Sequence, residues 1–458
     1  MNHNCSSREE ATVGVGRELH DFAARLYPIC RSITGEGLRQ TLRFIQEHLP
    51  LQLHEVTTGT QVFDWTIPKE WNIRDAFIKD STGRRVVDFQ KCNLHVLSYS
   101  SPVSGKMSLS ELRPHLHTIP AHPEWIPYRT SYYKEDWGFC LSHEQLLSLP
   151  EGEYEVRIDS QLTNGSLTYG ECFLAGKSSD EILVSCHACH PSLANDNLSG
   201  LTVATALAAE IASRKGSHRY SYRFLFLPGT IGAITWLARN RESTERIKYG
   251  LVHTCIGDKG AFHYKKSRRG DTEIDRAAAH VLALLSRDSQ VLEFSPYGYD
   301  ERQYCSPGFN LAVGCLMRSV WGSFPEYHTS ADNLDFIKPD SLAQSLEVCS
   351  RILEVLENNR LYRNLQPYCE PQLGRRGLYR STGGESIAEE ISARLWVLNL
   401  SDGNHSLLDI ADRAHIPFRR ILEAARLLEE NQLLERVSEH RMAVAEEEIA
   451  DKKLATDQ

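Results

Sequence analysis

The sequence predicts an α/β protein: a mostly parallel sheet flanked by helices, with an inserted β-rich domain and a C-terminal winged-helix domain. Two observations carry this. Between about 166 and 365, short continuous apolar runs alternate with helical patterns, as expected of strands buried on both faces of a sheet. The two other regions differ in texture: 57–165 alternates β-rich runs with turns, and 385–442 reads as three short helices followed by a strand. The chain has 458 residues, too many for one core; at roughly 100–200 residues per domain the prior is two to four.

Taken in order, REEATVGVGRELHDFAARLY and LRQTLRFIQEHL repeat apolar residues at three- and four-residue steps and predict two helices. PICRSITGEG, which contains Arg31, is a Pro/Gly-punctuated loop between them, either a plain connection or the lining of a substrate site. Next come the β-rich runs GTQVFDWTIPKEWNIRDAFIKD, RRVVDFQKCNLHVLSYSSPVSGKMSL and GEYEVRIDSQL. Within this stretch HLHTIPAHP (His115, His117, His122) reads as an irregular surface segment, because prolines flank it and no acid or cysteine is near. EILVSCH is then a buried strand, followed by a loop and a helix whose apolar face is Leu198, Leu201, Ala204, Ala208 and Ile211. YRFLFLP ends in a Gly turn before the helix IGAITWLARN, and YGLVHTCIG is a third strand that ends at Asp258. In such a sheet the sites lie beyond the carboxyl ends of the strands. DSLAQSLEVCSRILEVLENN closes the unit as a helix. The expected division is 1–56 with 166–365 as the α/β domain, 57–165 inserted, 366–384 a linker, 385–442 the winged helix and 443–458 a flexible tail.

Composition narrows the function. With 41 % apolar and 24 % charged residues the chain is globular rather than disordered. Its net charge of −9, without a run of five Lys/Arg, speaks against a binder of phosphate backbones. Across 385–440 six Arg/Lys stand against eleven Asp/Glu, a net of −5, and the would-be recognition helix PFRRILEAARLLEEN has three arginines and three glutamates. DNA affinity rests largely on phosphate neutralisation, so this module is expected to contact protein, including another copy of the chain, rather than nucleic acid. No stretch approaches the roughly 20 apolar residues of a membrane span. MNHNCSSREEATVG lacks the apolar core of a secretion signal, so the expected location is cytoplasmic. Twelve scattered cysteines fit free thiols in a reducing compartment.

The chemistry concentrates in CHACHPSLANDNLSG, which sits at a strand end and opens a helix. It brings His187, His190, Asp196 and two cysteines within eleven residues. Zinc takes N, S or O ligands tetrahedrally, and a histidine leaving a strand can converge with an aspartate of the next loop. Cys186 and Cys189 form C-x-x-C, but no second pair exists to complete a four-cysteine site. A second group, FPEYHTSADNLDFI, brackets His328 with Glu326, Asp332 and Asp335, acids able to orient an imidazole through its second nitrogen. A third, YGYDERQYCSPGFN, offers Asp300 and Glu301, and Asp258 stands alone. Arg31, Asn195 and Asn197 are the candidate substrate contacts.

Taken together, these motifs resemble the zinc aminopeptidases with a co-catalytic metal site, whose architecture glutaminyl cyclases share. The resemblance covers roughly 10–55 and 165–360. PICRSITG, VFDWTIPKEWNIRDA, CHPSLANDNLSG, DERQYC and PEYHTSADNLD are similar, end to end, to a bacterial aminopeptidase-like group with a winged-helix C-terminal domain. It implies one or two zinc ions and hydrolysis of a peptide-like or amide-bearing small molecule. It makes His187 the first metal histidine, Asp196 the bridging aspartate, Asp258 the second-metal aspartate and His328 the final metal histidine. The family carries Glu-Glu after the second strand, as general base and metal ligand. Here Gly229 and Thr230 stand there. Either Glu326, Asp300 or Glu301 replaces the base, or the chain is a catalytically altered binding or sensor protein that signals through its winged helix. His190, absent from the family pattern, either completes a one-metal site or is an ordinary loop histidine. If PEYHT is extended, Glu326 and His328 share a face, which favours Glu326 as the base.

Overall fold

Glu181–His187 and Ser221–Leu227 are buried at every position, and strands of this kind form the middle of a sheet covered on both faces. The computed structural model describes residues 3–214, 216–379 and 385–437. Its central sheet has eight strands: β1 Gln52–Thr57, β2 Ser166–Leu174, β3 Glu181–His187, β4 Ser221–Leu227, β5 Ile247–His253, β6 His263–Lys265, β7 Gln290–Leu292 and β8 Val313–Met317. Their order is β1-β2-β4-β3-β5-β8-β6-β7. The neighbours β4-β3-β5-β8 are parallel, as are β6 and β7; β1, β2 and the β8–β6 pair run antiparallel. The predicted α/β class is borne out, with a mixed sheet.

The connections after β3 and β5 leave in opposite directions, so the carboxyl ends of these adjacent strands form a topological switch point. The helices Gly200–Ser213 and Ile231–Arg239 follow β3 and β4. Helix Glu36–Gln46 buries Leu38, Thr41, Leu42 and Ile45, one face at three- and four-residue spacing. Each of its three large aliphatic side chains contributes roughly 1.5–3 kcal/mol by leaving water.

The β-rich stretch builds a four-stranded antiparallel sheet from Arg85–Asp88, Glu70–Lys79, Glu153–Thr163 and Val103–Ser108, in that order. On Glu153–Thr163 burial alternates, with Tyr154, Val156, Ile158 and Ser160 inward. The sequence sets 57–165 apart as a domain. In the structure Trp71, Phe139, Tyr154 and Ile158 join Leu183, Leu225 and Trp236 of the α/β region in one hydrophobic cluster. A shared core makes them one body.

Two compact units result. One takes the chain up to Arg276 with Ser286–Ser350; the other takes Ala277–Leu285 with the chain from Arg351 onward. The second unit holds the helices Glu385–Leu400, Leu407–Ala414 and Phe418–Glu430. Its three-stranded sheet places Leu361–Asn364 between Asp402–Ser406 and Leu434–Arg436. This corrects the boundary at 365/366: Leu361–Asn364 is the central strand of the C-terminal sheet and cannot belong to the α/β domain. The tail 443–458 and residues 380–384 of the linker lie outside the described residues. Among those described, no helix is long and apolar enough to cross a membrane.

Candidate metal centre

β3 delivers His187 to the switch point, and the loop that follows is held by three consecutive side chains with divided tasks. Asn195 accepts the Gly257 N–H (2.8 Å) and donates to Asp258 Oδ2 (2.8 Å). Asn197 donates to the His253 carbonyl (2.9 Å) and accepts the Gly200 N–H (3.2 Å). Both asparagines thus tie the loop to the end of β5 and to the next helix. The backbone N–H groups of Asn195 and Asp196 donate to the Asp332 carboxylate at 2.5 and 2.9 Å. Only the Asp196 side chain between them is left to face the site.

Its two oxygens lie 2.8 Å from His187 Nε2 and 3.0 Å from His328 Nε2. His190 stands beside them, its ring centroid 4.8 Å from that of His187 and 5.1 Å from that of His328. One donor atom from each of His187, His190 and Asp196 lies within 4.8 Å of the others. Burial alone would raise the Asp196 carboxyl; the imidazoles of His190, His187 and His328 outweigh it and hold the group well below the usual carboxylate range. Burial drives His190 well below the ordinary imidazole range, against the pull of Asp196. Neutral imidazole nitrogens and a carboxylate are the donors zinc takes at about 2.0–2.2 Å. The donor set fits zinc.

Tyrosines frame these rings. Tyr299 stacks on His187 (4.6 Å) and Tyr327 on His328 (4.0 Å), and their hydroxyls bond each other at 2.9 Å. Tyr128, from the β-rich stretch, sets its edge against both His190 and His328 at 5.2 Å and donates its N–H to the His328 carbonyl (2.8 Å). Its hydroxyl meets that of Tyr132 at 2.6 Å. The sequence reading missed all four tyrosines. Tyr299 and Tyr327 adjoin singled-out residues in the chain, whereas nothing local marks Tyr128.

Several predicted site residues are placed elsewhere. Asp258 does not join the donor group: it accepts from Asn195, from Ser319 Oγ and N–H, and from the Gly260 N–H, and so braces the loop. Asn195 and Asn197 are buried scaffold rather than substrate contacts. Arg31 is 1 % exposed, its Nε on the His190 carbonyl (2.9 Å) and its Nη1 on the Leu26 carbonyl (2.6 Å), while its Nη2 is buried without a hydrogen-bond partner among the described residues. Glu301 is engaged through Oε1 by Lys265 at 2.8 Å, an ion pair with both partners buried, while its Oε2 has no hydrogen-bond partner among the described residues. PEYHT is not extended: Tyr327 N–H bonds the Phe324 carbonyl, Thr329 N–H bonds that of Glu326, and His328 has φ of 57°. In such a turn residues i and i+2 do not share a face, which removes the argument for Glu326. Asp332 holds the backbone at Asp196 rather than the ring of His328.

Asp300 remains. Its Oδ1 accepts the Thr230 N–H (2.7 Å), and its Oδ2 is buried without a hydrogen-bond partner among the described residues. Burial pushes its carboxyl up to about 6, against the opposing influence of nearby His187. The acid therefore comes from another loop to the stretch where Gly229 and Thr230 lack one. A Cβ on Gly229 would touch Cys189 Sγ and His187 Cβ at 3.6 Å, ordinary contact. Cys186 and Cys189 are buried free thiols, and burial raises both, Cys189 to about 12. A thiolate or redox site is not supported.

Residues 20–359 match the family model described as Domain of unknown function (DUF4910), and residues 360–436 match a winged helix-turn-helix model. A protein of Clostridium acetobutylicum, provisionally named polysaccharide biosynthesis protein with aminopeptidase-like domain, is 52 % identical over 423 residues, 92 % of this chain and 97 % of its own. The crystal structure of a provisionally assigned peptidase from Clostridium acetobutylicum superposes with a TM-score of 0.89 at 49 % identity, covering 95 % of this chain and 100 % of that one. A zinc aminopeptidase from Bacillus subtilis gives a TM-score of 0.54 at 11 % identity, over 74 % and 95 % of the two chains. At that identity the likeness is one of fold.

Proposed function

The chain belongs to the family described as Domain of unknown function (DUF4910), with an aminopeptidase-like α/β domain and a winged helix-turn-helix domain, and on that premise we propose that it is a zinc-dependent hydrolase of a peptide-like or amide-bearing small molecule. The observation that supports this most is the Asp196 carboxylate between His187 and His328, with His190 at its side. His187, His190 and Asp196, with His328, would hold one ion. When bound, zinc supplies Lewis-acid activation of the amide carbonyl and of a water. Asp300, ionised at neutral pH and with one oxygen free, is the group to take the water's proton and return it to the leaving amine. Tyr128, Tyr299 and Tyr327 exclude solvent and fix the rings. Metal analysis of protein purified without chelator is the test: stoichiometric zinc in the wild type, lost in His187→Ala, is expected. A metal-free wild type would sink the reading.

Gly229-Thr230 favours a second reading, a binding or sensor protein that has lost hydrolysis. A panel of aminoacyl amides, acyl amides and, given the name of the Clostridium relative, N-acylated sugars separates the two. Binding without turnover, unchanged in Asp300→Asn, selects the sensor. For the winged helix we infer protein contact rather than DNA reading. The exposed Arg419 and Arg420 share the single carboxylate of Glu423, and Arg436 pairs with Glu429, so part of the positive charge a duplex would need is already offset.

A further inference from the structure

Arg31 is a cation sealed inside the protein, and among the described residues it forms no ion pair. Two of its nitrogens donate to carbonyl oxygens, Nη1 to Leu26 and Nε to His190. Burial lowers its pKa to about 10, so it stays charged at neutral pH. Charge without a counter-ion is costly in such a place. The bond to the His190 carbonyl reaches across 159 residues of sequence and ends on the residue that stands where the family pattern has no histidine. The remainder of His190 is pinned from two further sides. The buried Cys189 thiol lies 3.8 Å from Nδ1, and its sulfur also accepts the Gly229 N–H at 3.2 Å. Tyr128 sets its ring edge against the imidazole. A thiol hydrogen bond on Nδ1 leaves Nε2 as the nitrogen available to a ligand, the arrangement in which a partner on one nitrogen fixes the tautomer for the other. The Gly229–Thr230 stretch, which lacks both glutamates of the family pattern, and the histidine gained at 190 are thus joined through one sulfur.

We infer that Arg31 is a positioning residue that holds His190 in place as a metal ligand, and that the Arg31–His190–Cys189 set substitutes for the metal-ligating glutamate absent at Thr230. The metal part of this rests on the zinc reading of the site; the positioning part does not. Arg31 acts through His190 and touches no reacting atom.

The first measurement uses metal-free, full-length protein carrying 13C-labelled histidine. In Arg31→Gln the His190 ring signals, identified by their loss in His190→Ala, shift or broaden, while those of His187 and His328 stay. The second is a zinc titration against a chromophoric chelator. Arg31→Gln weakens zinc binding about 10- to 100-fold, the usual range for losing a group that orients a ligand. The double variant Arg31→Gln/His190→Ala binds no more weakly than His190→Ala alone. Circular dichroism confirms folding; should the Gln variant not fold, Arg31→Lys, which keeps the charge but can serve only one carbonyl well, replaces it and gives smaller effects of the same kind. Unmoved His190 signals, or losses that add in the double variant, overturn the inference. A wild type that binds no zinc, with His190 still displaced in Arg31→Gln, refutes the zinc reading and leaves the positioning role standing.

Discussion

Replacing Asp300 by asparagine separates the two consequences of burying a carboxylate, because stability and turnover are expected to move in opposite directions. Burial raises the Asp300 carboxyl from 3.8 to about 6, with His187 and the Thr230 N–H opposing and Glu301 adding. The shift corresponds to about 3 kcal/mol between the two protonation states. For this group, stability is fully present below the unfolded value near 4 and is lost as pH rises through the folded value near 6. Asparagine keeps the acceptor for the Thr230 N–H and removes the charge. Metal-free Asp300→Asn is therefore more stable than wild type at pH 8 by up to about 3 kcal/mol, and the gap narrows to under about 1 kcal/mol at pH 4. Denaturant midpoints at pH 4, 6 and 8, followed by tryptophan fluorescence in chelator-treated protein, measure this. With zinc restored, kcat falls by roughly 10²–10⁴, the range for a lost acid–base group, or about 3–5 kcal/mol of barrier. A variant that is less stable at pH 8, or whose stability gap does not change with pH, refutes the account of Asp300 as a desolvated, ionisable base.

Three other outcomes test the surroundings of the site. Glu301→Gln leaves Lys265 as a lone buried cation and is expected to destabilise by about 3–5 kcal/mol, with most of the loss recovered in Lys265→Met/Glu301→Gln; thermal melts that show no recovery contradict the pairing. Gly37→Ala brings a Cβ to 1.9 Å from the Cys30 carbonyl oxygen, where backbone must yield, whereas Gly229→Ala makes only 3.6 Å contacts. The first should lose about 1–3 kcal/mol or more and the second under about 1 kcal/mol, and equal melting temperatures would count against the loop geometry. Fluorescence anisotropy with random duplex DNA at about 0.15 M salt should give a Kd weaker than about 10⁻⁴ M; micromolar binding that weakens as salt rises would make the winged helix a DNA module after all.

What the sequence determined by itself is what local periodicity and chain order can carry. The largely apolar runs at Glu181–His187 and Ser221–Leu227 read as inner strands of a covered sheet, and the spacing of Leu38, Leu42 and Ile45 as one helix face. His187, Asp196 and His328 were named from the order of their motifs, and the structure brings all three to one point. Tertiary structure decided the rest. Asp258 follows a buried strand in the chain order expected of a metal aspartate, yet the Asn195 amide and Ser319 claim its oxygens. Glu326 lost its place when PEYHT proved to be a turn, and Asp300 gained one because Thr230, 70 residues away, turns its N–H toward it. Arg31 reads as a loop arginine until the His190 carbonyl is found 159 residues on. Tyr128 enters the site from a stretch that looked like an appendage. Periodicity reports which way a side chain faces within a few residues of its own chain. Which groups then share a buried point depends on long-range packing and on every buried polar group finding a partner, and neither is written in any one segment.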